Sequence, residues 1–172
     1  VGLAKVQLGD TDKGLRELSE LLSAQALRDA GQLGEDVAVW YGQALILAGR
    51  VDPGCAVLSE VLQQQTEMSL GRRYRCVTAH LLIAAVAFDR EQWDTVLWHS
   101  ASGTEESWKL GHRSHIALSS IYFGLASAAM GKFDDAVNAW TQSLSMWPKD
   151  GYAVFSRADV EGWLAAARVP IG

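Results

Sequence analysis

Apolar residues recur three, four and seven positions apart along most of this chain, and short polar turns break the runs. That spacing puts the apolar side chains on one stripe of an α-helix, a face that another element has to cover. The pattern predicts helices over roughly 12–27, 35–48, 53–65, 72–89, 91–100, 107–130, 134–146 and 152–167. Only three prolines, Pro53, Pro148 and Pro170, stand in the way of helix.

Four turns carry one punctuation: Gly9-Asp10-Thr11-Asp12, Gly49-Arg50-Val51-Asp52, Glu91-Gln92-Trp93-Asp94 and Gly131-Lys132-Phe133-Asp134. Aligned on Asp12, Asp52, Asp94 and Asp134, they step by 40, 42 and 40 residues. Behind them run three columns: Leu15, Cys55, Leu97, Val137; then Leu18, Leu58, Ser100, Trp140; then Leu22, Leu62, Thr104, Leu144. Each aspartate is expected to cap the following helix by accepting from its free N–H groups. Asp52-Pro53 states this best, with proline at the first helical position. Gly42 and Gly124 hold equivalent places ahead of the turns, with Ala84 in the third copy, and Gly14, Gly54 and Ala136 are small positions behind them. Glycine inside a helix costs about 0.5–1 kcal/mol against alanine, so its recurrence predicts close approach of two backbones.

The clearest unit, Ser120 to Pro148, resembles the tetratricopeptide repeat, a helix-turn-helix unit with signature W-x2-L-G-x2-Y…A-x3-F…P. Phe123-Gly124 stands at the L-G pair, Ala136-x3-Trp140 at A-x3-F, and Pro148 at the end. The second unit matches through Tyr41-Gly42, Gly54 and Leu58, the third through Ile83-Ala84 and Trp93, and the first begins at Val1-Gly2. Steps of 40 to 42 residues exceed the family's usual length of about 34, the extra residues falling in 26–35 and 65–73. HEAT and armadillo units are the alternative on length; the G-x-F-D-D-A turn at Gly131 favours the tetratricopeptide reading. The resemblance implies an all-α, right-handed α-solenoid of about four antiparallel helix pairs, with units near 1–30, 31–70, 71–108 and 109–148. A closing helix over 150–167 would cover the last unit. A chain that opens inside a helix hairpin is expected to be part of a longer array.

Composition narrows the function. The chain of 172 residues is 49% hydrophobic, and fifteen Lys and Arg against twenty Asp and Glu give a formal charge of -5. An acidic balance without a basic run argues against a nucleic-acid surface or an electrostatic membrane anchor. The longest apolar stretch, Leu81 to Phe88, is far short of the roughly 20 residues of a membrane-spanning helix, and no signal-peptide pattern is visible. Cys55 and Cys76 are too far apart for a C-x-x-C motif and are expected to be reduced, which suggests the cytoplasm. The Arg72-Arg73-Tyr74-Arg75 cluster is expected to be a solvated helix start.

His112 and His115 could share a helix face, with Glu105 and Glu106 near in sequence, yet no H-E-x-x-H or comparable ligand pattern is present. No metal or other cofactor is expected. Nucleophile-elbow, phosphate-loop and dinucleotide motifs are missing as well, so no enzyme chemistry is expected of this chain.

Carrying the family's concave groove across by register gives Val39, Gln43 and Ile46, then Leu81, Ala85 and Phe88, then Ile121, Leu125 and Ala128. These positions lack the Lys and Asn of carboxylate-clamping variants and would suit an amphipathic helix or an extended apolar segment. Alternatively they pack against neighbouring helices. Of seven tryptophans, Trp98 and Trp108 flank the worn third unit and are candidate anchors for a partner. The expected function is a protein–protein interaction module: an adaptor, scaffold or complex subunit binding another protein or peptide segment. The alternatives are a regulatory or substrate-docking arm of an enzyme whose catalytic domain lies elsewhere, self-association through the repeat ends, and a helical metal hydrolase using His112 and His115.

Overall fold

A computed structural model describes residues 2–7, 9–24, 32–64, 69–148 and 155–168. Among them the fold is all-α, with no strand: α1 (Gly2–Gln7), α2 (Thr11–Ser23), α3 (Gln32–Leu47), α4 (Val51–Gln63), α5 (Leu70–Asp89), α6 (Trp93–Leu110), α7 (Arg113–Ala129), α8 (Phe133–Ser145) and α9 (Arg157–Ala167). Residues 25–27, 65 and 152–154 of the expected helices lie outside the described residues. The chain divides into two compact units, Val1–Leu82 and Ile83–Gly172, the division falling within α5. Within each unit consecutive helices pack on one another, consistent with a helical repeat.

The four aligned turns share one backbone geometry. Gly9, Gly49, Glu91 and Gly131 take positive φ values of 91°, 76°, 55° and 74°. In each, the N–H of that residue reaches back three residues and the next N–H reaches back five. Gly49 bonds the Ile46 carbonyl at 3.0 Å and Arg50 that of Leu45 at 2.8 Å; Glu91 bonds Phe88 at 3.0 Å and Gln92 bonds Ala87 at 2.9 Å. This pair of bonds is the Schellman closure of a helix C-terminus, and it satisfies carbonyls that the helix leaves free.

The capping expectation is corrected here. The N-cap residues are Asp10, Arg50, Gln92 and Lys132, and none of them caps through its side chain. Asp12, Asp52, Asp94 and Asp134 stand one position inside the first turn, where their charge meets the positive end of the helix. Pro53 is third rather than first, still among the N–H positions that have no acceptor within the helix.

In the N-terminal unit, α1 packs on α2, α3 on α4, and α3 also meets α1 and α2. A methyl group on Gly42 would lie 2.8 Å from Leu58 Cγ and 3.1 Å from the Gly54 carbonyl; one on Gly54 would lie 2.7 Å from Ile46 Cγ1. Position 42 therefore faces 54 and 58, and position 46 faces 54, so the pair runs antiparallel with the two backbones in close approach. Val6, Leu15, Leu18, Val37, Ala44 and Leu45 form the buried core of this unit.

Arg72 and Arg75 overturn the expectation of a solvated helix start, being only 2% and 5% exposed. The Arg72 guanidinium donates to the Val61 carbonyl at 3.2 Å and to the Gln64 carbonyl, closing the C-terminal end of α4. Arg75 pairs with Asp36 of α3 at 3.1 Å. Carbonyls left free at a helix end are good acceptors for a cation, which is why the Arg72 charge can be buried; that of Arg75 is balanced by the Asp36 carboxylate.

In the C-terminal unit α6, α7, α8 and α9 pack in succession. Ile121, Ala136, Trp140, Val160 and Leu164 make a core to which α9 contributes the last two, so α9 does cover the final helix pair. It begins with a capping box: the Asp159 N–H donates to Ser156 Oγ at 3.1 Å, and the Ser156 N–H to the Asp159 carboxylate at 3.0 Å. The Ser156 hydroxyl, 2.6 Å from the Asp159 carboxylate, and after it the Ser156 N–H hold the Asp159 carboxyl below its usual range.

The expected break between 100 and 107 is also corrected: α6 runs unbroken from Trp93 to Leu110. Its Ser100, Thr104 and Ser107 hydroxyls donate to the carbonyls four residues earlier, at 2.6, 2.8 and 2.6 Å. Polar side chains that would favour a turn are thereby absorbed by the helix itself. The helix stops instead at Gly111, whose φ of 65° repeats the Schellman closure.

Candidate functional site

Three helices of the C-terminal unit enclose an open cavity of about 390 Å³. Ala101, Thr104, Glu105 and Trp108 come from α6, and Asp135, Asn138, Ala139 and Gln142 come from α8. Both sets have the spacing i, i+3, i+4, i+7, so each is a single helix face. Ser120 and Phe123 of α7 form the floor between them. Ala101 and Ala139 are small, and they leave room that a leucine at either place would occupy. Trp108 is 49% exposed although it lines this space.

The polar groups of the lining are mostly acceptors. Thr104 Oγ1 donates its proton to the Ser100 carbonyl at 2.8 Å, and Ser120 Oγ donates to that of Ile116 at 2.8 Å. Each hydroxyl has only lone pairs left for a ligand. Glu105 and Asp135 add carboxylates, and among the described residues no Lys, Arg or His lines the cavity. Lys109, just outside, lies 2.7 Å from both Glu105 and Glu106, and these bonds raise its pKa above the ordinary lysine value.

Trp98, the other candidate anchor, is 59% exposed. It shares a flank of α6 with Ala101, Glu105 and Trp108 at i, i+3, i+7, i+10, one turn outside the cavity, and its ring stands edge-on to His99 at 4.5 Å. Of the residues assigned to a concave groove, Val39, Leu81 and Ile121 are buried in the packing. Gln43, Ile46, Ala85, Leu125 and Ala128 are half-buried. Ile121 has no surface to offer, and with Leu125 and Ala128 it belongs to the core beneath α9. Phe88 is held edge-on between Trp93 and Tyr122, with ring centroids 5.8 and 5.9 Å away.

A second depression, lined by Asp12, Leu15, Arg16, Ser19, Tyr41 and Arg50, lies in the N-terminal unit and is more polar. His112 and His115 stack with centroids 4.0 Å apart, and among the described residues no group of three or more His, Cys, Asp or Glu is placed to hold a metal ion. No helix among the described residues is long and apolar enough to cross a membrane.

Sequence reasoning singled out Trp108 but missed Glu105, Phe123, Asp135, Asn138 and Gln142 as its companions. The signal existed in the i, i+3, i+4, i+7 run from Ala101 to Trp108. Ending the third-unit helix at Ser100 concealed it, because Trp108 was then assigned to the next helix. Comparison with family models, curated proteins and solved structures finds no match to this chain.

Proposed function

We propose that this chain is a protein–protein interaction module, an adaptor, scaffold or complex subunit, built from tetratricopeptide-like helix pairs stacked as a right-handed solenoid. Its docking site is the α6–α8 cavity, which receives a segment of a partner polypeptide. The observation that carries the reading is Trp108, a large aromatic left half-exposed on the wall of an open, mainly apolar space. Tryptophans at the edge of a concave pocket are frequent anchors of binding energy. The common register of the turns and of the Gly42–Gly54 crossing supports the repeat architecture. The widely spaced cysteines suggest the cytoplasm as the working compartment.

Selection of displayed peptides on the folded chain, counter-selected on Trp108→Ala, tests the reading. Enriched peptides should lose about tenfold or more in affinity on the variant, the loss typical of an anchor residue. Since Trp108 is half-exposed, the variant should keep its helical circular dichroism. Enrichment that is indifferent to Trp108 would overturn the site.

A further inference from the structure

We infer that the α6–α8 cavity takes an arginine side chain of the partner polypeptide. This rests on the docking reading above and adds the chemistry of the occupant.

The lining asks for donors. Thr104 and Ser120 have spent their protons on their own helix, and Glu105 and Asp135 are acceptor-only when ionised. Donors come from the Asn138 and Gln142 amides alone among the lining side chains, Trp108 apart. A carboxylate or phosphate would meet two carboxylates, and the neighbouring lysine, Lys109, is already held by Glu105 and Glu106. An uncharged apolar group would gain nothing from either carboxylate, and Glu105 would keep its exposed pair with Lys109. A cation gains from both, and the Trp108 and Phe123 ring surfaces attract it further.

Arginine matches better than lysine. Its flat guanidinium stacks on aromatic rings and presents five N–H groups in a fixed fork, against the compact, strongly hydrated ammonium of lysine. Its three methylenes suit Ala101, Ala139 and the aromatic walls. Lys109 does not block the site. Its ammonium is shared equally between Glu105 and Glu106, so it can remain on Glu106 while Glu105 turns to an arriving guanidinium.

The test is a titration of the isotope-labelled chain, followed by NMR at the Trp108 indole N–H and the amides of residues 101–108, 120–123 and 135–142. The probes are acetyl-Ala-Ala-Ala-Arg-Ala-Ala-Ala-amide and its lysine, citrulline and norleucine versions. The arginine peptide should shift these signals saturably, and more weakly as salt is added. Citrulline, which keeps the shape without the charge, should bind about tenfold more weakly. The double variant Glu105→Gln, Asp135→Asn, at two exposed positions, should lose about tenfold for the arginine peptide. Lys109→Ala should gain about twofold by freeing Glu105 from an exposed pair. Citrulline or norleucine binding as tightly as arginine would overturn the occupant while leaving docking at Trp108 in place. Silence of all four peptides overturns the arginine inference alone, because displayed-peptide selection tests docking without presuming arginine.

Discussion

At the scale of single residues, Glu91 is where the repeated turn is least comfortable. The other three turns place glycine in the left-handed region, and the third places a glutamate there at φ 55°. A β-carbon in that region costs about 1–2 kcal/mol, offset in part by the extra freedom glycine has when unfolded. Glu91→Gly should therefore raise the stability of the chain by about 1 kcal/mol, seen as a higher denaturation midpoint. A lower midpoint would mean that the glutamate side chain contributes more than its backbone loses. Arg72 makes the opposite case. Its buried guanidinium holds the Val61 and Gln64 carbonyls, and hydrogen bonds to a charged group contribute about 1.5–3 kcal/mol. Arg72→Met should cost about 2–3 kcal/mol, and Arg72→Lys should recover only part, since an ammonium lacks the fork. Urea denaturation of the three chains would decide; equal midpoints would show that α4 does not depend on this closure.

At the scale of helix pairs, the crossing of α7 and α8 is set by Gly124. A methyl group there would run into the Trp140 indole, including Cδ1 at 2.6 Å. Trp140 is 3% exposed and cannot move into solvent without opening the core. Gly124→Ala should cost about 1–3 kcal/mol through overpacking. In a double-mutant cycle with Trp140→Leu the double variant should lose less than the sum of the two single losses, because the smaller side chain leaves space for the methyl. Strict additivity would remove the claimed contact. This crossing was legible in the sequence, as was the turn register, because each is written in a column of similar residues: the small positions Gly42, Ala84 and Gly124, and the buried column Leu18, Leu58, Ser100 and Trp140. The length of α6 was not legible, since Ser100, Thr104 and Ser107 read as turn formers until their hydroxyls are seen on their own helix. Nor was the burial of Arg72, which depends on carbonyls that only the folded α4 exposes, or that of Arg75, which depends on Asp36 of another helix. The cavity needed three helix faces brought together, and local pattern says nothing about which faces meet.

For the whole molecule, the response to acid separates one half-buried group from the general charge. The formal charge of -5 at pH 7 shrinks as the pH approaches the isoelectric point near 5.3, so overall self-repulsion relaxes over that range. His115 works the other way. Burial first, and the neighbouring His112 second, lower its pKa from the ordinary 6.5 to about 4. Between those two values the unfolded chain takes up a proton at this position and the folded chain does not, which favours unfolding. The stability that goes with the neutral, half-buried imidazole is fully present above pH 6.5 and falls as the pH drops toward 4. Below about 4 both states are protonated and this group adds no further slope. The carboxylates whose pKa values are lowered, Glu17 and Asp159, start from ordinary values of 4.5 and 3.8 and begin to act only at the lower end of that window. Urea midpoints taken every half unit from pH 7.5 to 4 should therefore fall below pH 6.5 in the native chain. In His115→Gln, where no proton can be taken up, the decline over the same interval should be shallower. Parallel curves for the two chains would place the acid sensitivity elsewhere and show that the imidazole is as well solvated in the folded state as in the unfolded one.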